Sequence, residues 1–271
     1  WLLSQSNVDG VKKPNKIDYW GHYPVADIEY ELEASVDVGL RSWSPFLPGD
    51  GVASNVPGAV FEVRLRNKDI NPQKGTLAFS FHGPRRDEMG FNAHGPNQNV
   101  VIEAKYDHSI VDNEFSGVDV SSTWEDMTYA YAIRALGGED VRVGGELHEK
   151  NWSDLADGLP EISSSSGGSS IAVDFCLDGN GTQRILFVLG WYAPNWRAMT
   201  REVGRTYNDY VHMYGARFSS AGDVVTYLAG HHETLLERIL RWQDVIYSEQ
   251  QLPGWLRDSL INILGVLPQN S

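Results

Sequence analysis

The chain has 271 residues, 41% of them hydrophobic, with a formal net charge of −14. That length and apolar content suit a globular chain with a sizeable core and exclude a disordered one. The acidic balance excludes a phosphate-backbone partner, so no nucleic acid is expected, and no run of about 18 apolar residues offers a transmembrane helix.

From Lys16 to about Arg217 the hydrophobic period is mostly two. In "VADIEYELE" the residues Asp27, Glu29, Glu31 and Glu33 fall on one face of a strand, while Ala26, Ile28, Tyr30 and Leu32 fall on the other. Further strands are predicted at "SVDVGLRSW", "AVFEVRLRN", "GTLAFSFHG", "NVVIEAKYD", "TYAYAIRAL", "SIAVDFCLD" and "RILFVLGWY". Turn residues separate them, among them Gly49-Asp50-Gly51, Asn71-Pro72 and a hairpin turn at Asp178-Gly179-Asn180-Gly181. Many strands without intervening helices predict antiparallel sheets stacked as a β-sandwich. The low-complexity stretch Glu161–Ser170, "EISSSSGGSS", reads as a flexible surface loop inside that region.

After Arg217 the period changes. Leu228, Leu235, Ile239, Trp242 and Ile246 step by sevens, fours and threes, predicting one long helix from Ser220 to Glu249 with a serine cap. Gly222 and Gly230 weaken its first half. A fresh amphipathic helix then opens at Leu252, with Pro253 in its first turn and an apolar stripe of Leu256, Leu260, Ile263, Leu264 and Leu267. A stripe of that kind needs a partner. The first residue is Trp1, not Met, so the expectation is a segment cut from a longer polypeptide. The organisation expected is a β-sandwich over 1–217, a connecting helix over 218–250 and the start of a further helical domain over 251–271.

Chemistry-bearing patterns are few. The acidic face of Asp27, Glu29, Glu31 and Glu33 reads as a solvated strand face, since nothing supplies the loop ligands that calcium needs. His231 and His232 are adjacent on a helix and diverge by about 100°, so they read as surface residues and not as ligands of one ion. Cys176 reads as a small buried hydrophobe of a strand. A single cysteine forms no internal disulfide, and cytoplasm is the compartment expected. There is no Gly-x-Ser-x-Gly, no phosphate loop and no His-Glu-x-x-His, and neither cofactor nor metal is expected. Glycosidase chemistry needs two carboxyl groups flanking one sugar, and among 36 acidic residues the sequence singles out no pair. Aromatics beside prolines in "GWYAPNWR" (Gly190–Arg197) and "RSWSPFLPGD" (Arg41–Asp50) suit stacking on sugar rings or packing in a core or interface.

Several of these stretches, taken in order, resemble one family. "GHYPVADIEYE", "VGLRSWSPFLPGD", "SNVPGAVFEVRLRN", "FVLGWYAPNW" and "LPGWLRDSLINIL" are similar to the amino-terminal region of glycoside hydrolase family 116, which includes the non-lysosomal glucosylceramidase (bile-acid β-glucosidase) and bacterial relatives. The resemblance runs from about Trp20 to Leu267. It implies an amino-terminal β-sandwich followed by an (α/α)6 barrel, and retaining hydrolysis of β-glucosides or glucosylceramide-type substrates by a Glu nucleophile and an Asp acid/base. Both of those lie in the family's barrel, and no position here matches their motifs, so the resemblance implies no catalytic residue and no activity in this chain alone. It further implies that the last helix is the first of the barrel, which is then the partner of its stripe. Gly265 stands where family members often carry an aromatic, and weakens that helix by about 1 kcal/mol relative to Ala.

Within that reading Trp43, Trp191, Asn195 and Trp196 are the candidates for a wall of the active-site mouth, and Trp242, Trp255 and Leu256 for the interface with the barrel. Two alternatives come from other classes: a stand-alone carbohydrate-binding module, and an assembly domain whose helical partner is another chain.

Overall fold

The computed structural model describes residues 1–4, 6, 8–84, 105–124, 127–148, 151–152, 155, 158–199 and 207–266. Its strands are β1 (Lys16–His22), β2 (Val25–Glu31), β3 (Val36–Trp43), β4 (Gly58–Asn67), β5 (Gln73–Phe81), β6 (Asp107–Val111), β7 (Gly117–Trp124), β8 (Met127–Leu136), β9 (Glu139–Gly145), β10 (Ser169–Leu177), β11 (Thr182–Tyr192), β12 (Asn195–Met199) and β13 (Tyr207–Val211). A single helical turn, α1 (Gly51–Ser54), interrupts the β3–β4 connection, and the helices α2 (Ala221–Tyr247) and α3 (Gly254–Asn262) follow the strands.

Eight strands form one antiparallel sheet in the order β1-β2-β3-β4-β11-β8-β7-β6, three form a second in the order β5-β10-β9, and β12 pairs with β13. The three-stranded sheet packs on one face of the large one, which makes the predicted sandwich. Their shared core joins Val63, Tyr131, Ile133, Ile185 and Phe187 of the large sheet to Ile171 and Val173 of the small one. Phe79 of β5 stacks on Phe187 at 5.4 Å between ring centroids. The alternation of "VADIEYELE" holds as expected: Tyr30 and Leu32 are buried in this core, and Glu29, Glu31 and Glu33 face outward.

The other face of the large sheet is covered as well, by α2. A second core joins Val60, Ala132, Leu186 and Val188 of the sheet to Val224, Val225, Leu228, Leu235 and Ile239 of the helix. This explains why "RILFVLG" reads as an unbroken apolar run: Ile185, Phe187 and Leu189 serve the first core, Leu186 and Val188 the second. The helix that the sequence presents as a connector is therefore also a packing layer, and each fully buried leucine or isoleucine on it contributes about 1.5–3 kcal/mol.

α2 begins where the sequence places it. The Ser220 side chain caps it by accepting from Asp223 N at 3.0 Å. It crosses the strands instead of following one: Gly222 lies beside Asp119 of β7, Val224 and Val225 over Gly190 of β11, and Leu228 over Gly58 of β4. Gly58 and Gly190 are paired across the ladder, and a Cβ at Gly58 would sit 2.5 Å from Leu228 Cδ1. Two glycines side by side thus let the helix come close to the sheet.

Three local expectations are corrected. Cys176 is exposed, not buried. Val173 and Leu177 are both an odd number of residues from it, so strand alternation turns them inward and Cys176 out, opposite Lys74. Asp178–Gly181 is no hairpin turn, because β10 and β11 belong to different sheets. The turn is instead pinned between sheets by Asn67, whose Nδ2 donates to Asp178 O at 2.8 Å. In the serine-rich stretch Gly167, Gly168, Ser169 and Ser170 are buried. Tyr131 Oη donates to Gly167 O at 2.5 Å, and Ser170 Oγ to Gly145 O at 2.6 Å. The first half of the stretch is exposed as expected, with Glu161, Ser163, Ser164 and Ser165 at the surface, but at 167–170 small residues are there because the sheets close over them. The predicted strand "NVVIEAKYD" lies mostly outside the described residues.

Candidate functional site

One end of the large sheet gathers the β1–β2 turn, the β3–β4 connection and the departure from β11. The turn carries a cis Tyr23-Pro24 bond. The β3–β4 connection is ordered by Asp50, which caps α1 by accepting from Ala53 N at 2.9 Å and receives Arg238 Nη2 of α2 at 2.6 Å. Both hydrogen bonds lower the Asp50 pKa, the backbone one foremost. Trp191 N donates to Pro57 O at 2.9 Å. The two aromatic-rich segments singled out in the sequence, Arg41–Asp50 and Gly190–Arg197, therefore meet at one sheet end.

Their residues do not share one environment. Trp43 is 3% exposed, a member of the second core, because strand parity aims it at α2. Trp191 is 43% exposed at the rim. Asn195 is exposed and opens β12 opposite Val211. The Trp196 backbone pairs with Tyr210, and its side chain lies outside the described residues. Tyr214 fastens this rim: its hydroxyl donates to Ala193 O at 2.6 Å and its ring stacks on His212 at 5.3 Å. Burial pushes the Tyr214 phenol up.

Beside the rim, a polar network ties the β1–β2 turn to α2. Asp27 accepts from Arg41 Nε at 2.8 Å and Arg41 Nη2 at 2.9 Å, and from Arg64 Nη2 at 3.4 Å. His22 Nε2 lies 3.1 Å from the second Asp27 oxygen. Burial raises the Asp27 carboxyl, but the Arg41 fork and His22 outweigh it and hold it below the usual carboxylate range. Strand alternation alone puts Asp27 on a solvated face, whereas Arg41, Arg64 and His22 enclose it here. The usable signal was register, for Asp27, Arg41 and Glu62 are cross-strand neighbours in one row. Among the described residues no group of three or more His, Cys, Asp or Glu is placed to hold a metal ion. His231 and His232 each lie within hydrogen-bond reach of a carbonyl of their own helix, those of Tyr227 and Ala229.

The interface candidates lie on α2 and α3. Trp242 packs at the border of the second core. Trp255 is 69% exposed and Leu256 half-buried. α3 is anchored by Ile261, which is fully buried, by Asn262 Oδ1 accepting from Tyr23 N at 2.9 Å, and by Arg257 Nη1 donating to Tyr247 O. The predicted stripe is not the buried side: Leu260 and Ile263 are exposed, and Leu267 lies outside the described residues. Beside Gly265 the space is taken by the Tyr23 ring.

Comparison with known proteins decides the family. The family model described as "beta-glucosidase 2, glycosyl-hydrolase family 116 N-term" matches residues 2–235. The chain belongs to glycoside hydrolase family 116. The matched part is the amino-terminal region of that family, and it covers both sheets and half of α2. No curated protein matches the chain. Among solved structures, one named as a kojibiose phosphorylase, from human microbiome, is similar at 8% identity and a TM-score of 0.38, over 69% of this chain and 21% of that one. This chain thus spans about a fifth of that protein's length. The family 116 assignment makes this a domain of a glycoside hydrolase family. No helix of the described residues is long and apolar enough to cross a membrane.

Proposed function

We propose that this chain is the non-catalytic amino-terminal scaffold of a retaining β-glucosidase or glucosylceramidase-like hydrolase. In this reading residues 1–217 are the sandwich, 218–250 the helix that clamps it, and 251–271 the entry into an (α/α)6 catalytic barrel of the same polypeptide. The barrel supplies nucleophile and acid/base and binds the β-glucoside. Trp191, Asn195 and Trp196 line the mouth of its active site, while Trp43 supports them from the core. Trp242, Trp255 and Leu256 belong to the contact with the barrel.

The observation that carries this reading is the exposure of large apolar residues on and just past α3, Trp255 and Leu260 on the helix and Ile263 in the turn that follows it, on an element that is otherwise anchored. Scattered apolar residues on a surface need no partner, but three within nine residues at one end of the chain's described part mark an interaction surface. The test is activity and assembly. Incubated with 4-nitrophenyl β-D-glucopyranoside, the lone chain is expected to release no nitrophenol above the blank. Fused through α3 to the helical barrel of a family 116 enzyme, it is expected to give an active β-glucosidase that Trp255→Asp impairs. Turnover by the lone chain would overturn the reading.

A further inference from the structure

At the same sheet end, on the side away from α2, a cleft of about 390 Å3 opens between the β1–β2 turn, the adjoining ends of β3 and β4, and Asn262 of α3. That volume falls within the roughly 300–1,000 Å3 of small-molecule sites, toward the small end. Among the described residues no Asp, Glu, Lys or Arg side chain lines it. A charged ligand would lose its hydration there without gaining a countercharge. The lining therefore favours a neutral ligand over a charged one.

The walls are aromatic and the remaining groups small or hydroxylated. Tyr19 is 66% exposed and lies across Gly21, where a Cβ would come within 2.5 Å of the Tyr19 hydroxyl. Glycine at that position lets the ring lie flat along the strand, as a platform. Phe61 and Tyr23 supply further aromatic surface. Asn262 accepts from Tyr23 N through Oδ1, which orients its amide and leaves the NH2 group as a donor. Ser42 adds a hydroxyl on the lining.

A ligand that matches a flat apolar platform, uncharged walls and a few edge donors and acceptors is a ring with one apolar face and a rim of hydroxyls. We propose that this cleft binds a neutral pyranoside, with Tyr19 stacked against its C–H face and Ser42 and Asn262 hydrogen-bonded to its hydroxyls. The size suits one or two sugar rings. The proposal is independent of the scaffold role: it is read by binding, the scaffold role by activity.

The test is titration of the 271-residue chain with methyl β-D-glucopyranoside, followed by calorimetry and by the tyrosine ring resonances. Saturable binding is expected. Tyr19→Ala should weaken it at least tenfold, and Gly21→Ala should weaken it comparably by lifting the ring. Cys176→Ala, at an exposed position of the small sheet outside the cleft, should leave it unchanged, and circular dichroism on each variant separates loss of the site from loss of the fold. Absence of saturable binding overturns the proposal. So does binding that survives Tyr19→Ala and vanishes with Trp191→Ala. Equal affinity for cyclohexanol, which keeps the ring and loses most hydroxyls, overturns the assignment to a sugar.

Discussion

Gln243 and His22 hold each other across more than two hundred residues of chain. From within α2, Gln243 Nε2 donates to His22 O at 2.6 Å and to Tyr23 O at 3.1 Å, while its Oε1 lies 3.3 Å from His22 Nδ1. Gln243 is 2% exposed, so water cannot replace it. Leaving those carbonyls unsatisfied costs about 1–3 kcal/mol. Gln243→Leu, which keeps the bulk, is expected to lower stability by that amount in urea unfolding. An unchanged midpoint would show that the turn is held by other contacts.

Two glycines near the same helix should respond in opposite directions. A methyl group at Gly58 would meet Leu228 Cδ1 at 2.5 Å and Leu189 O at 2.6 Å, one of them backbone. Gly58→Ala is expected to destabilise by about 1–3 kcal/mol through overpacking. Gly230, in the middle of α2, has nothing within 4 Å of an added Cβ. Gly230→Ala is expected to stabilise by about 1 kcal/mol through helix propensity. Thermal melts of the pair check both signs, and destabilisation by Gly230→Ala would contradict the open surface seen at that position.

The residues that the sequence made legible are those whose fate depends on local period. Of the large sheet, β2, β3, β4, β8 and β11 fall on the predicted runs while β1, β6 and β7 are not among them, and α2 ends within two residues of its 3.6-residue pattern at both termini. What escaped depends on neighbours distant in sequence. Trp43 was an exposed candidate until α2 was laid over its face of the sheet, and Asp27 a solvated acid until Arg41 and Arg64 came into register beside it. Cys176 was within reach of the sequence, because parity alone turns it outward. Serine and glycine at 167–170 were unreadable, since composition does not tell a free linker from a tight crossing.

Acid should weaken the network around Asp27 of β2. Asp27 has its pKa lowered in the fold, with burial opposing and the hydrogen bonds from Arg41 and His22 prevailing. Asp174 is lowered by Thr76 and Arg142, and Asp223 by Ser219. A carboxyl held below its unfolded value contributes stability above that value, near pH 4, and loses it as the pH falls further. The melting temperature is expected to be level from neutral pH to about pH 5 and to fall below pH 4. Arg41→Met should flatten that fall by removing the fork on Asp27. A profile as steep as that of the parent would place the acid sensitivity elsewhere.

Base should act at the α2–α3 junction. Tyr247 is pushed up to about 12, first by burial and then by its hydrogen bond to Asp258. The neutral phenol is favoured in the fold, so its contribution is complete below about pH 10, where the unfolded chain begins to ionise. It is lost as the pH climbs toward the folded value. Tyr247→Phe removes the ionisation together with the hydrogen bond to Asp258, so it should lower stability in a neutral-pH melt slightly, by about 0.5–1.5 kcal/mol, while making the hold on α3 independent of pH. Hydrogen exchange of the α3 amides between pH 9 and 11, normalised for the intrinsic rate, reads this directly: the parent should lose protection relative to the variant. Equal loss in both would assign the alkaline opening to another group on the sheet end.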